Sequence, residues 1–410
     1  MRIAYVLSRY PVLTETFIRE ELLTMLADGV DLRVYPLRGP QDTAWVIAGE
    51  PDGGIGERVR RFGFALAPAN LAALLREALR APARFAAASR LLLRTSPGGA
   101  AGAAKALFLL PKLCRIAGDL RGFGPCHVHA HFANLPAAGA AFLGRLLGAP
   151  CSFTSHAFDI YGRDRASLDR LAAAVDFVVT ISGRNRDYHR QGVPEARRDR
   201  VHVVHCGVDP EAFAPVPPAP DGPFLAVGRL VPKKGFHLLV RALAALREAG
   251  LDRRCVIIGE GEQRAELEAL VRELGLGDRV TLAGPRPPAA VREALAGAAA
   301  FVLPCIETPG GDVDGIPVSL MEAMAMRKVV VTTGISGIRE LVTDGQDGLL
   351  VAPGDVPALA AALARLARGE VDADALGRQA RERIEAEFHC RRNARRLQAL
   401  VAAAAEGRPR

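Results

Sequence analysis

Short apolar runs rich in β-branched residues alternate with longer amphipathic runs of helical period along most of the chain. In the second half, PFLAVGRL precedes GFHLLVRALAALREAG, CVIIGEG precedes EQRAELEALVREL, RVTLAG precedes PPAAVREALAGA, AFVLPC precedes IPVSLMEAMAM, and KVVVTT precedes GIRELVTDG. Strands that are apolar throughout belong to a parallel sheet covered by helices on both faces, so this pattern predicts a succession of βα units. A sheet of that kind binds its ligand at the carboxyl ends of the strands.

The first half repeats the pattern less regularly. RIAYVLS predicts a first strand, LTETFIREELLTMLADG a helix with Thr14 and Thr16 as candidate caps, and VDLRVYPL a second strand. CHVHAHF, CSFTSHA, DFVVTIS and VHVVHCG follow as short apolar runs separated by helical stretches. A second parallel sheet of the same α/β class is the simplest reading. DPEAFAPVPPAPDGP, residues 209–223, is proline-rich and aperiodic, which predicts a linker between an N-terminal domain over 1–208 and a C-terminal domain over 224–372. Residues 373–410 read as a long or broken helix that returns to the first domain.

A chain of 410 residues exceeds one comfortable core, in keeping with two domains. No stretch reaches the roughly 18 apolar residues of a membrane-spanning helix, and Pro11 stands where a signal peptide would continue its apolar run, so a cytoplasmic location is expected. The seven cysteines are scattered and form no C-x-x-C pair, which argues against a disulfide framework or a cysteine metal site. A net charge of +8 predicts anionic partners. Nucleic acid is not expected, because only 22 of 410 residues are Phe, Trp or Tyr and no basic patch carries interleaved aromatics. Phosphorylated small molecules and anionic lipid headgroups fit the charge better. Residues 58–118 carry eleven Lys and Arg against one acid, Glu77, with Leu and Phe at helical spacing. Such a segment either lies in the interface of an anionic membrane or forms an ordinary helix pair with a solvated basic face, and the sequence leaves both open.

VGRLVPKKGFHLLVRAL places Gly228 and Arg229 just after a strand, and Lys233 and Lys234 just before a helix. Cations there, beside helix N-terminal amides, can hold a phosphate or diphosphate without a metal, although surface lysine pairs near helix starts are common. In DVDGIPVSLMEAM, Asp314 and Gly315 fall in a loop, Pro317 suits the first turn of a helix, and Glu322 lies on that helix. The two acids are about two helical turns apart, too far to share a proton, so they must contact different parts of one extended ligand. The amides of Val318 and Ser319 would meet a phosphate between them. Carboxylates accept paired hydrogen bonds from vicinal hydroxyls, which suits sugars and ribose. Most acid pairs at this spacing are merely solvated; Glu322 differs in being a lone acid on an apolar helix. His129 and His131 alternate on one strand with the spacing of a metal pair, but no acid or cysteine follows at ligand distance, and no metal site is expected.

GRLVPKKG, DGIPVSLMEAMA and TDGQDGLLVAPGD together resemble the retaining glycosyltransferases of family 4, and the resemblance extends through VHAHFA, SFTSHAFDIYGRD, VVTISGRNRDY and VVHCGVD. The opening SRYPVLTETFIREEL is similar to a bacterial subgroup that builds exopolysaccharide and colanic-acid-type repeat units. The resemblance implies the GT-B fold, with two Rossmann-like domains facing a central cleft, the first for the acceptor and the second for a nucleotide-sugar donor. It implies that Arg229 and Lys234 neutralise the donor diphosphate, that Glu322 binds the ribose hydroxyls, and that Gly315, Ile316 and Pro317 lie against the transferred sugar. His156, in TSHAFD, matches the histidine that faces the reacting sugar. The family pattern has Glu where this chain has Asp314, one methylene shorter. The turn after EAMA departs too, as MRKVVV with Arg327 and Val329, and GIRELV carries Arg339 in place of proline. The implied reaction is metal-free and cofactor-free sugar transfer to a glycan or lipid-diphosphate-linked acceptor; the basic segment 58–118 fits a protein peripheral to the inner face of the cell membrane. The competing readings are a nucleotide-sugar epimerase on the same fold and a non-catalytic membrane-surface binding protein.

Overall fold

The computed structural model describes residues 1–12, 15–39, 53–161 and 164–407. Thr14 lies outside them, and Thr16 is the first residue of its helix, Thr16–Ala27, which has no side-chain cap. The chain divides into two compact units, one of residues 1–205 with 393–410 and the other of residues 206–392.

The first unit is built on a parallel sheet of Arg2–Leu7 (β1), Asp31–Pro36 (β2), His127–His131 (β3), Cys151–Ser155 (β4), Phe177–Thr180 (β5) and Val201–Val203 (β6), in the order β2-β1-β3-β4-β5-β6. Pleating sends successive side chains to opposite faces. Ala4 and Val6 of β1 accordingly enter a core with the helices Gly99–Phe123 and Leu135–Leu147, whereas Ile3, Tyr5 and Leu7 enter a separate core with Ile18 and Leu22. That second core also takes Ala394, Leu397 and Val401 of the last helix, Cys390–Glu406, and Arg395 clasps Asp28 with two bonds of 2.9 Å.

The second unit repeats the plan with Phe224–Val227 (β7), Cys255–Ile258 (β8), Val280–Gly284 (β9), Ala300–Leu303 (β10), Val330–Thr333 (β11) and Leu349–Val351 (β12), ordered β12-β11-β10-β7-β8-β9 and parallel throughout. The α/β parallel-sheet class expected from the apolar runs is present in both units. The strand β12 carries too short an apolar run, LLV, for its pattern to separate it from a loop.

The proline-rich stretch 209–223 is packed on the second unit. The Val216 amide donates to the Met326 carbonyl and that of Ala219 to the Ala298 carbonyl, both at 3.1 Å, while Arg381 donates to the Pro210 and Phe213 carbonyls. Prolines lack the amide for a ladder, so carbonyls carry part of the bonding of this stretch, and Arg381 takes those of Pro210 and Phe213. The C-terminal helical stretch is broken between Ala373–Glu387 and Cys390–Glu406, where Val208 bonds to Phe388 and Cys390 backbone. Gly207 permits that approach, since a Cβ there would collide with the Phe388 carbonyl.

Candidate functional site

In the second unit the strand order reverses between β7 and β10, which makes the carboxyl ends of these two neighbours a topological switch point. The loops after β7 and β10 carry GRLVPKKG and DVDGIP, and the Ile306 amide ties them by donating to the Lys233 carbonyl at 2.9 Å. Lys233 and Lys234 end a single 3-10 turn, Pro232–Lys234. Gly235 then takes φ +67°, and any side chain there would strike the Pro304 carbonyl, so glycine is required both by conformation and by space.

This tight turn delivers two lysines to two acids of the facing loop. Lys234 Nζ lies 2.7 Å from Asp314 Oδ2; Lys233 Nζ lies 2.9 Å from Asp312 Oδ1 and 3.6 Å from Asp314 Oδ1. Desolvation is the largest influence on Lys234 and Asp314 and opposes their charge, yet their attraction together with that of the neighbouring groups outweighs it, holding the lysine above its ordinary value and the carboxylate below its own. Lys233 and Arg229 also lower Asp314. Arg229 itself is exposed just past β7, and the Lys234 stem passes over Gly228, where a Cβ would lie 3.4 Å from its Cε. With Asp312 and Asp314 ionised, the three cations leave the cluster one positive charge in excess. Asp314, read from sequence as a ligand contact, here directs its carboxylate to Lys234.

Gly315 and the buried Ile316 follow Asp314 in this loop, and the helix Val318–Ala325 begins with Pro317 at the capping position, one residue outside the first turn expected for it. The amides of Val318 and Ser319 have no hydrogen-bond partner among the described residues. Glu322 is half-buried on that helix, between Met321 and Ala323, which are buried. The departures that follow are taken up in packing: Arg327 adopts φ +62° and forks onto Asp374 at 2.7 and 2.8 Å, and Lys328 is buried with its ammonium on the Pro217 and Ala296 carbonyls at 2.9 and 2.8 Å. Arg339 donates to the Gly334 carbonyl at 2.5 Å.

The first unit holds a chain of polar groups at the carboxyl ends of β1, β3 and β4. Tyr5 donates to Glu21 Oε1 at 2.7 Å, His131 Nε2 lies 3.1 Å from the same oxygen, and His131 Nδ1 lies 3.2 Å from His156 Nε2. An ionised carboxylate only accepts, so His131 carries its proton on Nε2; when His131 is neutral, its Nδ1 then accepts from His156 Nε2–H. Burial, reinforced by His131, holds His156 well below the ordinary imidazole value and therefore neutral. Its ring sits between Phe17 and Phe132, with centroids at 4.7 and 4.6 Å, and its backbone amide donates to Asp159 at 2.9 Å. Asn185 donates to the His156 carbonyl and accepts from Tyr161 at 2.7 Å.

Glu21, His129 and His131 bring ligand atoms within 4.8 Å of one another. The acid that the local sequence lacks comes from the helix Thr16–Ala27, 110 residues before His131. Both His129 nitrogens already have hydroxyl partners, Ser152 Oγ at 2.8 Å and Thr154 Oγ1 at 3.0 Å. The cluster is thus satisfied as a hydrogen-bonded network. The Glu21–His131 link escaped sequence reading because it joins a helix to a strand across the sheet; only the pairing of His156 with Asp159 three residues on is local.

Residues 210–383 match the family described as glycosyl transferases group 1, and residues 43–212 match glycosyltransferase family 4. The chain is 35% identical to WcaL of Escherichia coli K12, named as a putative colanic acid biosynthesis glycosyltransferase, over 67% of this chain and 70% of that protein. It is 37% identical to AmsK of Erwinia amylovora, an amylovoran biosynthesis glycosyltransferase, over 47% of this chain and 48% of that one. Among solved structures, HepE of Anabaena in complex with UDP shares the fold at TM-score 0.70 and 16% identity, covering 98% of this chain and 100% of its own. With both halves matched and more than two thirds of WcaL covered, the chain belongs to the family-4 glycosyltransferases of GT-B fold, in the group with colanic acid and amylovoran biosynthesis relatives.

Proposed function

We propose that the protein moves a sugar from a nucleotide-diphosphate sugar to a glycan or lipid-diphosphate-linked acceptor in bacterial surface polysaccharide synthesis, with retained anomeric configuration and without a metal. The observation that carries this reading is the lysine cluster at the β7/β10 switch point, with the unpartnered amides of Val318 and Ser319 at the start of the helix that follows the β10 loop. A diphosphate has the charge to recruit Lys234 and Arg229 and the oxygens to meet amides. UDP in the HepE structure supports a nucleoside diphosphate as the anion.

Breaking the anomeric C–O bond develops negative charge on the departing diphosphate, which Arg229, Lys234 and the helix start at Pro317 stabilise. The acceptor hydroxyl attacks the anomeric carbon from the same face, and its proton passes to the departing phosphate oxygen. Glu322 takes the ribose hydroxyls, Gly228, Gly315 and Ile316 line the donor, Asp314 positions Lys234, and neutral His156 orients hydroxyls of the transferred sugar. The first unit carries the acceptor, at the inner face of the cell membrane. An outward leucine ridge in the basic segment supports that placement, and no described helix is long and apolar enough to cross a membrane.

The test is a calorimetric and thermal-shift screen against UDP-, GDP-, ADP- and TDP-sugars in the presence of EDTA. One donor is expected to bind and to lose binding in Arg229→Ala. A donor that binds only with added divalent metal refutes the metal-free reading, and nucleotide release with no acceptor product returns the epimerase.

A further inference from the structure

The helix Pro68–Arg80 is turned inside out. Its buried positions are Asn70, Ala73 and Glu77, while Leu71, Leu75 and Leu79 are 43%, 61% and 71% exposed. Glu77 is held inward by Arg121, whose Nη2 and Nε lie 2.5 and 3.2 Å from the carboxylate, and Asn70 donates to the Phe62 and Phe64 carbonyls. Specific polar partners therefore occupy the inner face, and three leucines at four-residue spacing share the outer one. Phe64, Leu66, Leu107 and Phe108 extend the surface, with Phe64 and Phe108 meeting edge to face at 5.6 Å. Among the described residues, every large exposed hydrophobic except Met1 lies between positions 64 and 108. Patches of that kind mark interaction surfaces.

The charge pattern selects the partner. Arg76, Arg80, Arg84 and Lys105 are exposed around the ridge, and the one acid of 58–118 is the inward Glu77. An acidic protein face would match the cations but leave the leucines in water; an anionic bilayer matches both. Continuous with the ridge through Phe64 and Phe108 is a pocket of about 490 Å³, whose lining also includes Arg38, Lys105 and Lys112. Lys112 is buried, and its ammonium donates to the Leu37 carbonyl at 2.9 Å. No carboxylate reaches it among the described residues, and burial pulls its pKa down. A buried cation held by a carbonyl alone is stabilised by an anion arriving beside it.

We propose that this pocket takes the phosphate of an anionic lipid, with the lipid chains lying along the Leu71–Leu75–Leu79 ridge. This deepens the membrane reading given above and rests on it; the sugar-transfer reading stands or falls separately in the donor screen.

Co-sedimentation of the full chain with phosphatidylcholine vesicles, with and without phosphatidylglycerol, tests it without any turnover. The protein is expected to partition at least about tenfold more strongly onto the anionic vesicles. Leu75→Ser with Leu79→Ser should abolish binding to both. Lys112→Met should reduce the preference for phosphatidylglycerol about fivefold, as one cation at the surface would. Arg38→Ala with Lys105→Ala, both exposed, should reduce it further and serves as the test should Lys112→Met fail to fold. Equal partition onto both vesicles, or wild-type binding by the leucine variant, overturns the proposal. So does inorganic phosphate that raises the unfolding midpoint as much as soluble short-chain phosphatidylglycerol, which would mark a simple phosphate site.

Discussion

Lys234→Met removes one charge while keeping most of the volume of the stem over Gly228, so its effect separates electrostatics from packing. Asp314 would be left with Lys233 at 3.6 Å and the exposed Arg229. Removing one partner of a buried ion pair costs about 3–5 kcal/mol, and with Lys233 still in reach a loss of about 2–3 kcal/mol is expected. For a unit of this size that lowers the unfolding midpoint by about 4–12 °C. Asp314→Asn added to Lys234→Met removes the stranded charge and should restore most of the stability, a coupling of about 2 kcal/mol in the cycle. Turnover should respond differently. Loss of one fixed charge facing the departing diphosphate lowers kcat by about 10²–10³, and the double variant should recover none of it. Urea unfolding reads the first quantity and nucleoside diphosphate release at saturating donor reads the second. Lys234→Met with kcat within about threefold of wild type would confine the lysine to a structural role and refute the reasoning.

The same pair makes a statement about pH. Asp314, held low, contributes stability that is present above the unfolded carboxylate value of about 3.9 and lost as pH falls through the lower folded value. Lys234, held high, contributes stability that is full below the unfolded lysine value of about 10.4 and lost as pH rises through the higher folded value. The stability difference between wild type and the double variant should therefore be flat from about pH 5 to 9 and shrink outside that window.

Other expectations follow from buried partners. Glu21→Ala releases His131 from its fixed tautomer and should lower turnover about tenfold or more, with donor affinity by calorimetry unchanged. Nitrogen-15 NMR of the imidazoles should then show the His156 proton no longer confined to Nε2, and an unchanged tautomer would refute the link. Arg121→Ala strands the buried Glu77 carboxylate and should cost about 3–5 kcal/mol in urea unfolding, with Glu77→Met restoring most of it; a loss under about 1 kcal/mol would show that Glu77 finds water instead.

Much of the architecture was written in local pattern. Runs such as FLAV, CVII and AFVL are apolar at every position, and a strand so composed must be covered on both faces, which leaves a parallel sheet between helices as the stable arrangement. The pair of lysines set before a helix in GRLVPKKG and the isolation of Glu322 on an apolar helix were equally local, because each depends on what lies within one turn of the chain. Tertiary structure alone decided the pairings. Lys233 meets Asp312 across 79 residues and His131 meets Glu21 across 110, since strand order, which no periodicity encodes, brings those segments together. It also decided the direction of the helix Pro68–Arg80. Period shows that Leu71, Leu75 and Leu79 share one face and Glu77 another, but Arg121 and the Phe62 and Phe64 carbonyls, by claiming Glu77 and Asn70, turn the polar face inward and leave those three leucines outside.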